Sequence, residues 1–182
     1  EQETSDTLTI DRTEPNSTIT SPGVGAVLNV TGTLIIGGEA RDNTFVAGVE
    51  IRVDGGAWQE TDGAETWTYA WDTGVLTEGN HTLESRATDA GGNVETTYAS
   101  VTVDIDRTPA QLAADTPPQK ANQDANGNWL VPLGGTVTDI HPDTVEVLLQ
   151  GQGDAAARFG WQKAAVVGSA WSIDYRLANV DN

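Results

Sequence analysis

No cysteine occurs in the 182 residues, so disulfides, cysteine-ligated metals and thiol catalysis are all excluded. Methionine is absent as well, and with Glu1 at its start the chain reads as a processed product or a piece of something longer. Basic residues are scarce, 9 against 27 acidic ones, for a formal charge of −18. Such a surface repels nucleic acid and anionic membrane and favours cations. No apolar run of about 18 residues is present, nor an apolar stretch behind a basic start, so no segment reads as membrane-inserting or targeting. Histidine is limited to His81 and His141. Neither sits in a nucleophile motif, and an isolated histidine is more often a surface residue than a base. The glycine-rich stretches "VDGG" and "DAGGN" join strand to strand, so they read as turns rather than phosphate loops. A non-enzyme is the expectation.

What is present is a β rhythm. From Gly32 to Ile105, short β-branched or aromatic segments alternate with Gly, Asn and Asp clusters, with no 3.6-residue period. In "GVEIRVDGG", Val49, Ile51 and Val53 alternate with Glu50 and Arg52, which predicts a strand with one buried and one wet face. "ETWTYAWD" does the same with Trp67, Tyr69 and Trp71, "HTLESRATD" with Leu83 and Ala87, and "SVTVDI" with Val101, Val103 and Ile105. About seven strands in roughly 95 residues suit a two-sheet sandwich. Neighbouring strands "VEIRV" and "TLESRA" would bring Glu50 and Arg52 near Glu84 and Arg86.

The chain also repeats itself. "DRT" at Asp11 returns at Asp106, 95 positions on; "IGGEARD" from Ile36 is echoed by "LGGTVTD" from Leu133, 97 on. "VEIRV" from Val49 matches "VEVLL" from Val145, and "WTYAW" from Trp67 matches "WSIDY" from Trp171, 104 on. The growing shift places an insertion around "GQGDAAARFGWQKAAVVGSA". The expected organisation is all-β: residues 1–12 as the end of a preceding repeat or a linker strand, 13–106 as repeat 1, and 107–182 as repeat 2 lacking its last two strands at the C-terminal end. This pattern reads as part of a longer tandem array. A second reading is a fibre subunit, in which the N-terminal "TLTID" of one molecule completes the open repeat of the next.

The run from "NSTITSPGVG" through "VEIRVDGGAWQ" and "WTYAW" to "RATDAGGNVETTYASVTVDIDRTP" resembles the immunoglobulin-like (E-set type) tandem repeats of large secreted or cell-surface bacterial proteins. More distantly it is similar to the immunoglobulin-like dimerisation domain of molybdenum-cofactor sulfite oxidases. The resemblance implies tandem immunoglobulin-like β-sandwiches, an extracellular or cell-surface location, and a non-catalytic structural or adhesive role as a spacer or stalk. Its implied partners are neighbouring repeats of the same or identical chains, with surface glycans or another protein as further candidates. Neither nucleic acid nor direct membrane insertion is expected.

Two functional readings of the residues follow. Calcium takes several hard oxygen ligands, and loops rich in Asp and Asn supply them. At the seam, Asp104 and Asp106 would meet Asp139 and Asp143; at the matching pole of repeat 1, Asp11, Asp42 and Asn43 would meet Asp89 and Asn93. A bound ion would stiffen the domain joints, although turns favour Asp and Asn for their own reasons. The alternative is a carbohydrate-binding module, whose mark would be two or more exposed coplanar rings. Trp67, Tyr69 and Trp71 read as core instead, whereas Trp58 and Trp161 are expected to be partly exposed.

Overall fold

In the computed structural model, the described residues are 10–116, 121–139, 141, 144–149 and 160–177. The chain divides into two compact units, the first ending at Arg107 and the second beginning at Thr108. Among the described residues every regular element is a strand.

In the first unit two sheets face each other. One orders β1 (Asn16–Ser21), β3 (Thr33–Arg41), β7 (Thr66–Asp72) and β6 (Asp62–Gly63) as β1-β3-β7-β6. The other orders β2 (Val27–Leu28), β9 (Ala99–Ile105), β8 (Gly79–Asp89), β4 (Val46–Val53) and β5 (Gln59–Glu60) as β2-β9-β8-β4-β5. Period-two alternation supplies the inner faces. Val49 and Ile51 from β4, Leu83 and Ala87 from β8, Val101, Val103 and Ile105 from β9, and Ile36, Trp67 and Trp71 from the facing sheet form one buried cluster. Burying each large aliphatic side chain contributes about 1.5–3 kcal/mol. On the wet face, β4 and β8 pair Glu50 with Arg86 and Arg52 with Glu84. Their side chains meet at 2.8 Å and 2.7 Å.

The hairpin strand after β4 passes from one sheet to the other: its first part, β5, pairs with β4, and its second, β6, pairs with β7. The second unit repeats the manoeuvre in one piece. Its strands are β10 (Gln111–Ala114), β11 (Asn122–Gln123), β12 (Trp129–Thr138), β13 (Val145–Val147), β14 (Gln162–Val167) and β15 (Ala170–Leu177). The start of β14 pairs with β13 and its end with β15. The order β10-β12-β15 reproduces β1-β3-β7. In each case a Gly-Gly step lies under a tryptophan: Gly38 opposite Trp67, and Gly135 opposite Trp171. A Cβ at Gly38 would come 2.2 Å from both the Thr18 carbonyl oxygen and the Trp67 ring. At Gly135 it would come 1.9 Å from the Ala113 carbonyl oxygen, so neither position admits a side chain.

His81 departs from the expected surface position. It lies on the inner face of β8 with 6% of its surface exposed, because it shares parity with Leu83 and Ala87. Its Nδ1 meets Asp54 Oδ2 at 2.7 Å and its Nε2 meets the Thr77 carbonyl at 3.0 Å. Tyr69, grouped with Trp67 and Trp71 as core, is only partly buried, whereas the two tryptophans are 0% and 4% exposed.

Candidate metal centre

The pole of the first unit where the chain enters is built from three loops. Asp42 ends the β3 side of one and folds it by an Asp-x-Thr turn: its Oδ2 accepts the Thr44 amide at 2.8 Å and the Thr44 hydroxyl at 2.7 Å. Asp11 makes the same turn in the entering segment, its Oδ1 accepting the Thr13 amide at 3.0 Å. Asp11 Oδ2 then accepts Asn43 Nδ2 at 3.2 Å and faces the Thr44 hydroxyl at 3.0 Å. The third loop, "DAGGN" from Asp89 to Asn93, closes on itself. Asp89 Oδ1 accepts the Asn93 amide and Oδ2 its side-chain Nδ2, both at 2.7 Å. Asn93 Nδ2 also reaches the Asp11 carbonyl at 3.3 Å, and a Cβ added at Gly91 would stand 3.5 Å from the Asp11 Cβ.

One carboxylate oxygen each of Asp11, Asp42 and Asp89 lies within 4.8 Å of the others. Asp89 is fully buried and the other two are half-buried. The backbone hydrogen bond from Thr13, with further bonds from Thr44 and Asn43, outweighs desolvation and holds Asp11 below the usual carboxylate range. Two features favour a cation here. Asp42 Oδ1 is sealed from solvent and has no hydrogen-bond partner. The Thr44 hydroxyl carries one proton, so it can serve only one of the two carboxylates it touches. The donors are all hard oxygens, and a span of 4.8 Å is about twice the 2.3–2.6 Å calcium–oxygen distance. Sequence reasoning missed Thr44; the spacing of Asp42 and Thr44 was its available signal.

The seam residues behave differently. Asp104 lies near the end of β9 and Asp106 directly follows it in the first unit, where the Asp104 amide bonds Ala26 O at 2.9 Å and the Asp106 amide bonds Leu28 O at 3.1 Å. In the second unit Asp139 Oδ1 accepts the His141 amide at 3.0 Å, a local turn. Asp143 lies outside the described residues. The structure therefore gathers Asp11, Asp42, Asp89 and Asn93, while the seam acids enter no comparable cluster among the described residues.

The aromatic surface is a different arrangement from a flat platform. Trp58 lies over the outer face of β4 and β8, with the Arg52 guanidinium 4.5 Å and that of Arg86 4.4 Å from its ring centre. Tyr98 meets Trp58 edge-on at an interplanar angle of 73°. Stacking on guanidinium groups occupies Trp58 with covering the two ion pairs. In the second unit Trp161 is 65% exposed.

At the opposite pole Arg107 closes the first unit. Its Nε donates to the Val30 carbonyl at 2.8 Å, Nη1 to Leu76 at 3.1 Å and Nη2 to Thr73, while its amide donates to Glu78 Oε1 at 3.0 Å.

Residues 15–84 match the family described as bacterial Ig domain. No curated protein matches the sequence. Among solved structures, the chain is similar to the endo-beta-1,4-mannanase from Thermotoga petrophila, at 16% identity and a TM-score of 0.43 over 54% of this chain and 21% of that one. It is also similar to the fibronectin(III)-like modules of Clostridium thermocellum CbhA, at 26% identity and a TM-score of 0.38 over 50% of this chain and 46% of that one. The chain thus spans about a fifth of the first and under half of the second. With two facing sheets, a core of alternating strand residues and this match, the first unit is a bacterial immunoglobulin-like domain.

Proposed function

We propose that the chain is a non-catalytic spacer or adhesive segment of a large extracellular or cell-surface bacterial protein, built of immunoglobulin-like domains in tandem and stiffened by calcium. The observation that carries this reading is the path of the polypeptide through the first unit. It enters at the pole of Asp11, beside the end of β3 at Asp42, and leaves at Arg107, beside Val30 and the start of β3. The nine residues of β3 separate these poles by roughly 30 Å at about 3.3 Å per residue. Entry and exit at opposite ends are what head-to-tail linkage requires. The acidic pole supports the calcium element, because an ion there would join the entering segment to two loops of the domain it enters.

The test is a thermal melt of the chain in calcium and in chelator. A ligand held only by the folded state at a hundred times its Kd contributes about 2.7 kcal/mol, so the first unit should melt several degrees higher with calcium. Asp42→Asn should remove that gain. Identical melts in millimolar calcium and in chelator would overturn the metal element. Small-angle scattering of the natural full-length protein that gave a compact particle instead of an extended one would overturn the spacer element.

A further inference from the structure

The "DRT" segment occurs twice, at residues 11–13 and 106–108, and in the first unit the two copies expose different halves of one device. In the second copy, Arg107 turns back into the domain it ends and satisfies the carbonyls of Val30, Thr73 and Leu76. In the first copy, Asp11 turns forward into the domain it begins. Arg12, the counterpart of Arg107, is exposed and makes no hydrogen bond or ion pair among the described residues. The same contrast holds two residues earlier. Ile105 is fully buried, whereas Ile10, 95 positions before it, is 66% exposed.

We propose that Arg12 and Ile10 form a docking segment for the closing pole of another immunoglobulin-like domain placed ahead of residue 7. Ile10 enters that domain's core as Ile105 does here. The Arg12 guanidinium seals its pole by donating to three main-chain carbonyls, those at the positions of Val30, Thr73 and Leu76. A planar fork with several donors suits three divergent carbonyls; a lysine ammonium does not. "DRT" is then a two-way joint, Arg holding the domain behind and Asp the domain ahead. The proposal rests on the tandem reading and goes beyond it by naming the residues and the chemistry of the contact.

The partner can be supplied as a further copy of residues 13–101 fused ahead of Thr7, so that residues 7–12 stand where 102–107 stand in the first unit. The two copies should melt together in calorimetry. Arg12→Ala should split that transition, lowering one half by at least about 4 °C, as Arg107→Ala should lower the other. In the unextended chain Arg12→Ala should leave the melt unchanged. Arg12→Lys and Arg107→Lys should give smaller shifts of equal size and serve if either alanine variant fails to fold. An extended chain in which changes at Arg107 act and changes at Arg12 do not would overturn the proposal, as would a leading copy that fails to fold on residues 7–12. Neither result touches the scattering test of the spacer reading.

Discussion

The carboxylate of Glu95 accepts the main-chain amide of Ser17 at 3.0 Å through the same oxygen, Oε2, that accepts the amide of Ala87 at 2.9 Å. Glu95 is 3% exposed, and its other oxygen takes Asn16 Nδ2 at 3.3 Å. It therefore ties β1 of one sheet to β8 of the other. Replacing it with alanine strands two buried amides, each costing about 1–3 kcal/mol. Glu95→Ala should lose about 3 kcal/mol or more in a urea titration followed by tryptophan fluorescence, and Glu95→Gln, which keeps an acceptor, should lose less.

The two Gly-Gly steps predict separable failures. Gly38→Ala drives a Cβ into Thr18 and Trp67 and should destabilise the first unit by about 3 kcal/mol. Gly135→Ala meets the Ala113 carbonyl and Trp171 and should act on the second. Hydrogen exchange read by peptide should show each loss of protection confined to the unit that carries the change.

A pH dependence should come from His81 and Asp54. Both ring nitrogens of His81 face acceptors, an arrangement that only the doubly protonated ring satisfies. Burial works against the charge, but the bonds to Asp54 and to the Thr77 carbonyl outweigh it, and the histidine is raised above its ordinary 6.5. Burial would likewise raise Asp54, yet its bonds with His81 and with the Thr82 amide lower it below 3.8. The histidine contribution is whole below pH 6.5 and is lost as pH rises through its raised value. The aspartate contribution is whole above pH 3.8 and is lost as pH falls through its lowered value. The pair should therefore stabilise most between about pH 4 and 6.5. Melting temperature against pH should lose that feature in His81→Gln, and an unaltered profile in the variant would exclude the pair as its source.

At the acidic pole the sign of a substitution should depend on calcium. In chelator, Asp42→Asn removes one of three crowded negative charges and gives the sealed Oδ1 position a neutral group, so the first unit should melt no lower than the parent. In calcium the parent should overtake the variant. Paired melts decide it.

Alternation made β4, β7, β8 and β9 legible, and with them the Glu50–Arg86 and Arg52–Glu84 pairs, because parity fixes which side chains share a face. The same parity places His81, Ser85 and Asp89 on the inner face of β8, but the partners that make their burial tolerable, Asp54, Ser17 and Asn93, come from other segments that parity does not reveal. Asp54 was not legible. Its φ of 51° is unusual for a residue with a side chain, and its histidine partner is 27 positions away. The gathering of Asp11, Asp42 and Asp89 could be read because Asp42 follows β3, Asp89 ends β8 and Asp11 lies in the segment that leads into β1, and the topology brings these places to one pole. The passage of the β5–β6 strand from one sheet to the other left no mark in composition. The "DAGGN" loop has an unforeseen double in the second unit. In "DANGN", Asp124 accepts the Asn128 amide at 2.9 Å and its Nδ2 at 2.9 Å, the bonding seen from Asp89 to Asn93. The loop satisfies itself, and so it serves equally after β8 and before β12.

The short strand β2 runs parallel to β9, and three bonds stitch that margin of the first unit: Gly25 N to Thr102 O at 2.7 Å, Asp104 N to Ala26 O at 2.9 Å and Asp106 N to Leu28 O at 3.1 Å. Tension applied between the entering segment at Asp11 and the leaving one at Arg107 drags these two strands in opposite directions along their length. The bonds lie across that pull, so they are loaded in shear and must fail together, whereas a hairpin peeled from its end loses them singly. The domain would resist stretching at the margin nearest its exit, with Arg107 anchored immediately beyond the last of the three bonds.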